Sequence, residues 1–285
     1  MCTNADRFAS FSPLVPTFRG PGGLWRSHDP LSLATPAAFQ SDPSQVWQFY
    51  HWRRQACLSA KPNAAHEAIS WLSSKQGHEA TFPAASSPSR RFRLVTQNVD
   101  GLSKRANDAL SKSIDSGGAP LDPLEMHGSL FRTMCTSCGD QQWNFDSPIC
   151  DSLRGTEDTS KPLARLSLDK LPRCKSARCN DAVDGGGLLR PGVVWFGESI
   201  PLLDTIAPLV ERCDLLLVLG TSSTVYPAAG FAAQVRARGG KVAVFNLDGG
   251  EETGSGEADF FFQGPVEETL PTALGLASPS SAARA

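Results

Sequence analysis

From residue 214 to residue 274 the chain alternates between short apolar runs and amphipathic stretches. Asp214-Leu215-Leu216-Leu217-Val218-Leu219 is apolar at every position after the first, the pattern of a strand covered on both faces of a parallel sheet. Gly220-Thr221-Ser222-Ser223 follows directly. A helix is then predicted over 227–238, strands over 241–246 and 259–262, and a last helix over 265–274. Strands joined by crossovers of this length predict an α/β fold with a doubly wound parallel sheet. Upstream, Val46, Phe49 and Tyr50 have the spacing of an amphipathic helix over 43–58, with Asp42 as its cap. A second helix is predicted after Asn63, through Ala68, Ile69 and Leu72. Residues 92–96 read as a short strand and lead into Gln97-Asn98-Val99-Asp100-Gly101. Residues 80–90 and 111–123 have the Ser, Gly and Pro content of loops. Residues 1–15 show no periodicity, no internal repeat is visible, and 277–285 read as a small, polar, disordered tail.

The composition narrows the classes of function. With 40% hydrophobic and 20% charged residues, the chain has the balance of a globular protein. Its 27 Lys+Arg against 29 Asp+Glu leave a net charge of −2, which gives no bulk attraction for nucleic acid or an anionic membrane. The longest strongly apolar run, residues 215–219, is far too short to span a bilayer. The first twenty residues carry neither a secretory signal nor an Arg-rich amphipathic presequence.

Of the 8 cysteines, four are paired by spacing. Cys135 and Cys138 form C-x-x-C, and Cys174 and Cys179 form C-x-x-x-x-C. Two thiolates on a tight turn supply half of a tetrahedral zinc site, and two such turns close it. The alternative is a pair of redox couples or free thiols. Four protein ligands leave no open position for water, so such a zinc holds structure and does no chemistry. Cys2, Cys57, Cys150 and Cys213 stand alone. Zinc thiolates also fit a reducing, intracellular compartment.

In doubly wound sheets, ligands sit beyond the carboxyl ends of the strands. Three polar clusters fall there: Gln97-Asn98-x-Asp100, Gly220-Thr221-Ser222-Ser223, and Asn246. Each alone is ordinary loop chemistry; together they point to a nucleotide.

Pro16-Thr17-Phe18-Arg19-Gly20, Thr96-Gln97-Asn98-Val99-Asp100, His127-Gly128, the two cysteine pairs, Gly220-Thr221-Ser222-Ser223 and Asn246-Leu247 occur in the order seen in sirtuins. The resemblance runs from about Val15 to about Leu276. It implies an NAD-dependent protein-lysine deacylase with a Rossmann-like domain (1–127 and 191–276) and a small inserted zinc-binding domain (128–190). NAD and acyl-lysine would meet between them.

The resemblance also assigns roles to residues. His127 would be the general base on a ribose hydroxyl, after the acyl oxygen attacks the ribose carbon as nicotinamide leaves to give an alkylimidate. The products would be free lysine, nicotinamide and O-acyl-ADP-ribose. Gln97 and Asn98 would position the nicotinamide ribose and water, and Asp100 would hold the carboxamide. Gly220, Thr221 and Ser222 would contact phosphates and ribose, and Asn246, Leu247 and Val266 the adenosine end. Phe18 and Arg19 would lie in a loop covering the cofactor. Val194-Trp195-Phe196-Gly197-Glu198 would be the edge along which substrate backbone adds as a strand, with Val194 and Phe196 as contacts.

Phe49-Tyr50-His51-Trp52-Arg53-Arg54 is similar to the Tyr-x-x-Arg signature of class III sirtuins, which prefer malonyl-, succinyl- and glutaryl-lysine over acetyl-lysine. Residues three apart share a helix face, and a phenol beside a guanidinium suits a terminal carboxylate. On an anonymous helix, Tyr50 would simply pack and Arg53 would be a solvated charge. Class III relatives are mostly mitochondrial, so the resemblance implies a mitochondrial protein, with cytosol and nucleus as the alternatives. A mono-ADP-ribosyltransferase on the same scaffold is disfavoured, because it has no need of a carboxyl-acyl pocket.

Residues 1–14 depart from the family. Sirtuins carry a strand ending in Gly-Ala-Gly-x-Ser there, and this chain has no Gly-x-Gly before Pro16. The expectation is an N-terminally truncated member lacking the central first strand and the Gly-rich loop. Its neighbouring strands would be partly unpaired and its hold on NAD weakened. The alternative reading that follows is an inactive acyl-lysine and zinc binding module.

Overall fold

The computed structural model describes residues 2–5, 25–26, 28–83, 91–114, 118–179, 186–247, 249 and 258–276. Nine strands fall within these: β1 (Cys2–Ala5), β2 (Arg93–Thr96), β3 (Leu124–Glu125), β4 (Gly128–Cys135), β5 (Gln141–Trp143), β6 (Leu189–Val193), β7 (Leu215–Leu219), β8 (Lys241–Asn246) and β9 (Phe260–Gln263). Among the helices, α1 (Pro30–Leu33), α2 (Pro36–Ser41) and α5 (Lys75–Thr81) are short. The first sheet has the order β3-β2-β1-β7-β8-β9 with every neighbour parallel. The second is antiparallel, in the order β5-β4-β6.

The first strand is therefore present, which corrects the expectation that it is missing. Cys2 and Ala5 register with Arg93 and Thr96 on one side, and with Leu216 and Leu219 on the other. A central parallel strand is held by backbone N–H and C=O groups on both edges, so its seat demands no particular side chain. No pair of neighbouring strands is left with a gap. The Gly-rich loop positions, together with Phe18 and Arg19, lie outside the described residues, as does the 277–285 tail.

Period-two alternation splits the large sheet into two faces. Leu94, Leu217, Leu219, Ala243 and Phe245 pack against Ala65, Ala68, Ile69 and Leu72 of α4 (Ala64–Ser73) and Leu270 of α9 (Val266–Ala273). Their neighbours Val95, Leu216, Val218, Val242 and Val244 pack against Ile206 and Val210 of α7 (Leu203–Glu211) and Phe231 and Val235 of α8 (Phe231–Ala237). Helices on both faces complete the doubly wound arrangement. The second sheet runs on to Val193, past the boundary expected at residue 190.

Helix α3 (Pro43–Ser59) starts as expected, with Asp42 accepting the Gln45 N–H at 2.9 Å. It is not amphipathic, however. Gln48, His51, Arg53 and Arg54 are buried together with Val46, Trp47, Phe49, Tyr50 and Cys57. The helix is covered by β4 and β6 and by residues 151–166, and polar bonds to both covers permit the burial. Trp47 Nε1 donates to Leu189 O at 2.8 Å, and Arg54 donates to Asn144 O at 3.0 Å and to Leu130 O. Gln48 donates to Ala164 O at 2.7 Å and accepts from Ala164 N at 3.1 Å, and His51 Nε2 meets Glu157 Oε2 at 3.0 Å. A buried polar group without such partners costs about 1–3 kcal/mol.

Helix α4 begins at Asn63, whose side chain accepts from His66 N at 3.1 Å and lies 2.6 Å from His66 Nδ1. Burial holds His66 down to about pKa 3, and it also depresses His51. An unfolded histidine titrates near 6.5. Above that pH both states are neutral at these positions and nothing is gained or lost. Below it, the unfolded chain takes up protons that the folded chain refuses, so stability falls as pH drops from about 6.5 toward 3. Urea unfolding at pH 5.0 is expected to show a lower midpoint than at pH 7.5, with His66→Gln flattening part of the difference. Identical midpoints in wild type at the two pH values would contradict it.

Candidate active site

The carboxyl ends of β2, β3, β7 and β8 deliver Gln97-Asn98-x-Asp100, His127, Gly220-Thr221-Ser222-Ser223 and Asn246 to one edge of the large sheet. His127 is half-buried, with Nδ1 3.2 Å from Gln97 O. A carbonyl only accepts, so the Nδ1 proton sits in that bond and the lone pair is on Nε2. Burial lowers the His127 pKa, opposed by the bond to Gln97, and keeps the imidazole neutral. The following glycine is required. Gly128 has φ +75°, and a Cβ there would stand 2.3 Å from Gly192 O.

Asp100 is buried. Its Oδ1 accepts the Leu102 N–H at 2.8 Å at the start of α6 (Leu102–Ser111). Its other oxygen, Oδ2, is buried with no hydrogen-bond partner among the described residues. Burial raises the Asp100 pKa, while the Leu102 N–H and the charges of Arg53 and Arg105 hold it down. A buried acceptor of this kind fits a carboxamide N–H.

Gly220 and Ser223 have φ of +57° and +53°, so the chain after β7 curls tightly. Thr221 Oγ1 accepts the Ser223 N–H at 3.1 Å, and the half-buried Ser222 hydroxyl lies 3.0 Å from Thr224 Oγ1. Two residues expected at the adenosine end are held by contacts within the chain. Asn246 donates from Nδ2 to Thr221 O at 2.9 Å and accepts the Leu247 N–H at 2.9 Å, so its amide ties two loops together. The Val266 side chain is buried in the core beside Leu270. Leu247 is partly exposed at the same edge.

Tyr50 and Arg53 stand together on α3, both buried. Tyr50 is pushed up to about 12, chiefly by burial, with the Arg53 charge acting against this. Burial lowers the Arg53 pKa, opposed by Cys57, Tyr50 and Asp100. The guanidinium carbon of Arg53 is 5.8 Å from the centre of the Phe49 ring. Arg54, next in sequence, turns away to the Leu130 and Asn144 carbonyls and has a structural role.

The 194–198 segment, expected as an edge for substrate backbone, has several of its N–H groups engaged within the chain. Val194 N donates to His127 O at 2.8 Å, Phe196 N to Ala34 O at 3.0 Å and Glu198 N to Trp195 O at 3.0 Å. Trp195 N donates to Glu198 Oε2 at 2.8 Å. With these donors engaged inside the chain, an added peptide strand would meet mainly carbonyls and the exposed Phe196 side chain. The residue that sequence reasoning missed here is Trp195, whose Nε1 donates to Tyr50 Oη at 2.9 Å. Its only sequence signal is an aromatic inside Val-Trp-Phe-Gly-Glu, flanked by Arg190 and Glu198.

Cys135, Cys138, Cys174 and Cys179 present sulfurs that all lie within 4.8 Å of one another. Cys135 and Cys179 are 3.7 Å apart at sulfur, and Cys138 and Cys174 3.9 Å. A tetrahedral zinc with sulfurs at about 2.3 Å spaces them about 3.8 Å apart, so the donor set fits. The Gly187 N–H donates to Cys179 Sγ at 3.2 Å and the Ser176 N–H to Cys174 Sγ at 3.5 Å, bonds that suit thiolates.

Comparison with known proteins agrees with this arrangement. The family model described as "Sir2 family" matches residues 9–227. The chain is 46% identical over 264 residues to the dog (Canis lupus familiaris) protein named NAD-dependent protein deacylase sirtuin-5, mitochondrial, covering 91% of this chain and 76% of that one. It is 44% identical to the Daphnia pulex NAD-dependent protein deacylase, covering 91% and 86% of the two chains. A solved Sir2 homologue in complex with NAD superposes with a TM-score of 0.72 at 31% identity, over 96% of this chain and 87% of that one. The chain belongs to the Sir2 family.

Proposed function

We propose that this protein is an NAD-dependent protein-lysine deacylase whose preferred acyl groups end in a carboxylate: succinyl, malonyl and glutaryl, with acetyl a weaker substrate. The observation that carries the acyl preference is the buried Tyr50–Arg53 pair on α3, a phenol and a cation side by side in a partly dry site. NAD supplies an electrophilic ribose carbon with nicotinamide as its leaving group. Asp100 Oδ2 would accept from the carboxamide, and the curled Gly220–Ser223 backbone would face the phosphates and ribose. His127 holds its lone pair at Nε2, where it takes a proton from a hydroxyl brought into the cleft. Arg53 anchors the acyl carboxylate and Tyr50 donates its hydroxyl proton to it. The four cysteines would hold one structural zinc, which keeps β4–β6 in place against α3 and takes no part in the chemistry.

The protein partners under this reading are acylated lysine side chains. Relatives named mitochondrial support that compartment. No helix among the described residues is long and apolar enough to cross a membrane.

The test is mass spectrometry of the purified protein with NAD and one peptide carrying either succinyl- or acetyl-lysine. O-Succinyl-ADP-ribose is expected with wild type. In Tyr50→Phe/Arg53→Met, kcat/KM for the succinyl peptide should fall by about 10²–10⁴-fold, the scale of two hydrogen bonds to a charged group, with the acetyl reaction largely spared. An unchanged succinyl-to-acetyl ratio would remove the carboxylate-pocket assignment.

A further inference from the structure

The Tyr50 hydroxyl can donate to an acyl carboxylate only if its proton points into the pocket. An indole N–H is a donor and never an acceptor. At 2.9 Å from Trp195 Nε1, Tyr50 Oη must therefore be accepting. A phenolic proton prefers the plane of its ring, which leaves two orientations. The one facing Trp195 would set two protons against each other, so the proton takes the other. Accepting a bond also polarises the O–H and makes it the better donor.

The indole has little freedom to move away. Trp195 is 3% exposed. The guanidinium carbon of Arg190 lies 3.5 Å from the ring centre, and the Phe39 ring is 5.3 Å away. Arg190 is itself buried and fixed, donating to both carboxylate oxygens of Glu198 and to Val193 O at 2.9 Å. The same carboxylate takes the Trp195 backbone N–H at 2.8 Å. Glu198, Arg190 and Trp195 thus form one locked unit that ends at the Tyr50 oxygen.

We propose that Trp195 is a positioning residue for acyl selectivity: clamped by Arg190 and Glu198, its indole N–H orients the Tyr50 hydroxyl so that it donates to the terminal carboxylate of the acyl chain. This rests on the carboxyl-acyl reading above and adds a residue outside α3 to it. Trp195 touches neither reacting atoms nor carboxylate in this role.

Trp195→Phe keeps an aromatic ring and removes the N–H. It is expected to raise KM for the succinyl peptide about tenfold, the effect of one neutral hydrogen bond, with kcat unchanged and acetyl kcat/KM within about twofold of wild type. Added to Tyr50→Phe, Trp195→Phe should have no further effect on the succinyl reaction, because the hydroxyl it orients is gone. Equal losses on both acyl peptides, or additive losses in the double variant, would overturn the proposal. If Tyr50→Phe/Arg53→Met leaves acyl preference unchanged, the carboxyl-acyl reading fails and takes the inference with it; if only Tyr50→Phe does so, the reading stands on Arg53 and the inference fails. If Tyr50→Phe lowers the preference and Trp195→Phe does not, only the inference fails. Should Trp195→Phe not fold, the hydrogen bond can be read from the indole N–H signals of the 6 tryptophans. One of them should move upfield and exchange faster in Tyr50→Phe, and an unchanged set counts against the proposal.

Discussion

Replacing Cys174 with serine is expected to abolish zinc binding at the four-cysteine cluster, the metal site proposed above, and to cost the β4–β6 sheet its order. Structural zinc in small thiolate sites contributes on the order of 10–16 kcal/mol of apparent binding free energy, which here is folding free energy of the module. Apart from the metal, the module has a three-residue β5 with every side chain exposed and a cysteine cluster as its local core. The loss should not stop there. Arg54 and Trp47 donate to Leu130 O and Leu189 O, so an unravelled sheet strands a buried guanidinium and an indole on α3, the helix that carries Tyr50 and Arg53. Metal analysis should give one zinc per wild-type chain and less in Cys174→Ser, with new proteolytic cleavage between residues 136 and 188. A chelator-treated wild type with an unchanged thermal midpoint and cleavage pattern would refute the assignment.

His127→Ala is expected to lower kcat by about 10²–10⁴-fold, the usual contribution of a positioned general base, with KM for the acyl peptide little changed. The bond from Nδ1 to Gln97 O fixes the tautomer, so His127→Asn should not restore the rate even if it keeps that bond. The pH profile carries a second, independent sign. A base must be deprotonated to act, and burial moves the His127 pKa below its ordinary value. The acid limb of kcat/KM should therefore fall below pH 6.5, with full activity retained at pH 7. A limb centred above pH 7, or an alanine variant within tenfold of wild type, would exclude His127 as the base.

How far these features were legible in the sequence differs from element to element. The strands at 215–219 and 241–246 are readable because a strand covered on both faces must be apolar at nearly every position. The cysteine cluster is readable because a metal needs its ligands on tight local turns. Cys-Thr-Asn-Ala is unreadable as a central strand, since backbone pairing on both sides seats it and its composition carries no signal. Helices α6 and α7 escape for local reasons. Gly101 at φ +72° opens α6 with the cap supplied by Asp100 one residue earlier, and Pro208 lies inside α7, where proline ordinarily argues against a helix. Helix α3 reads as amphipathic because Gln48, His51, Arg53 and Arg54 are polar. Only the partners brought by distant segments make their burial tolerable. Asn246 and Val266 are assigned to ligand by likeness of sequence, and their burial and bonding are set by neighbours far along the chain.

The double cover of α3 also bears on how a new substrate preference could arise on this scaffold. Its buried positions answer to the cysteine-bearing sheet through Trp47 and Arg54 and to residues 151–166 through Gln48 and His51. A change that suits a different acyl group at Tyr50 or Arg53 must therefore be made on a helix held by two other segments of the chain. Trp195 reaches the same pocket from a turn beside the exposed Phe196 and Gly197, where neighbouring side chains have room to shift. Within that turn only Phe196 and Gly197 have such room, because Glu198 and Arg190 fix Trp195, so a change of acyl preference has little slack on either wall of the pocket.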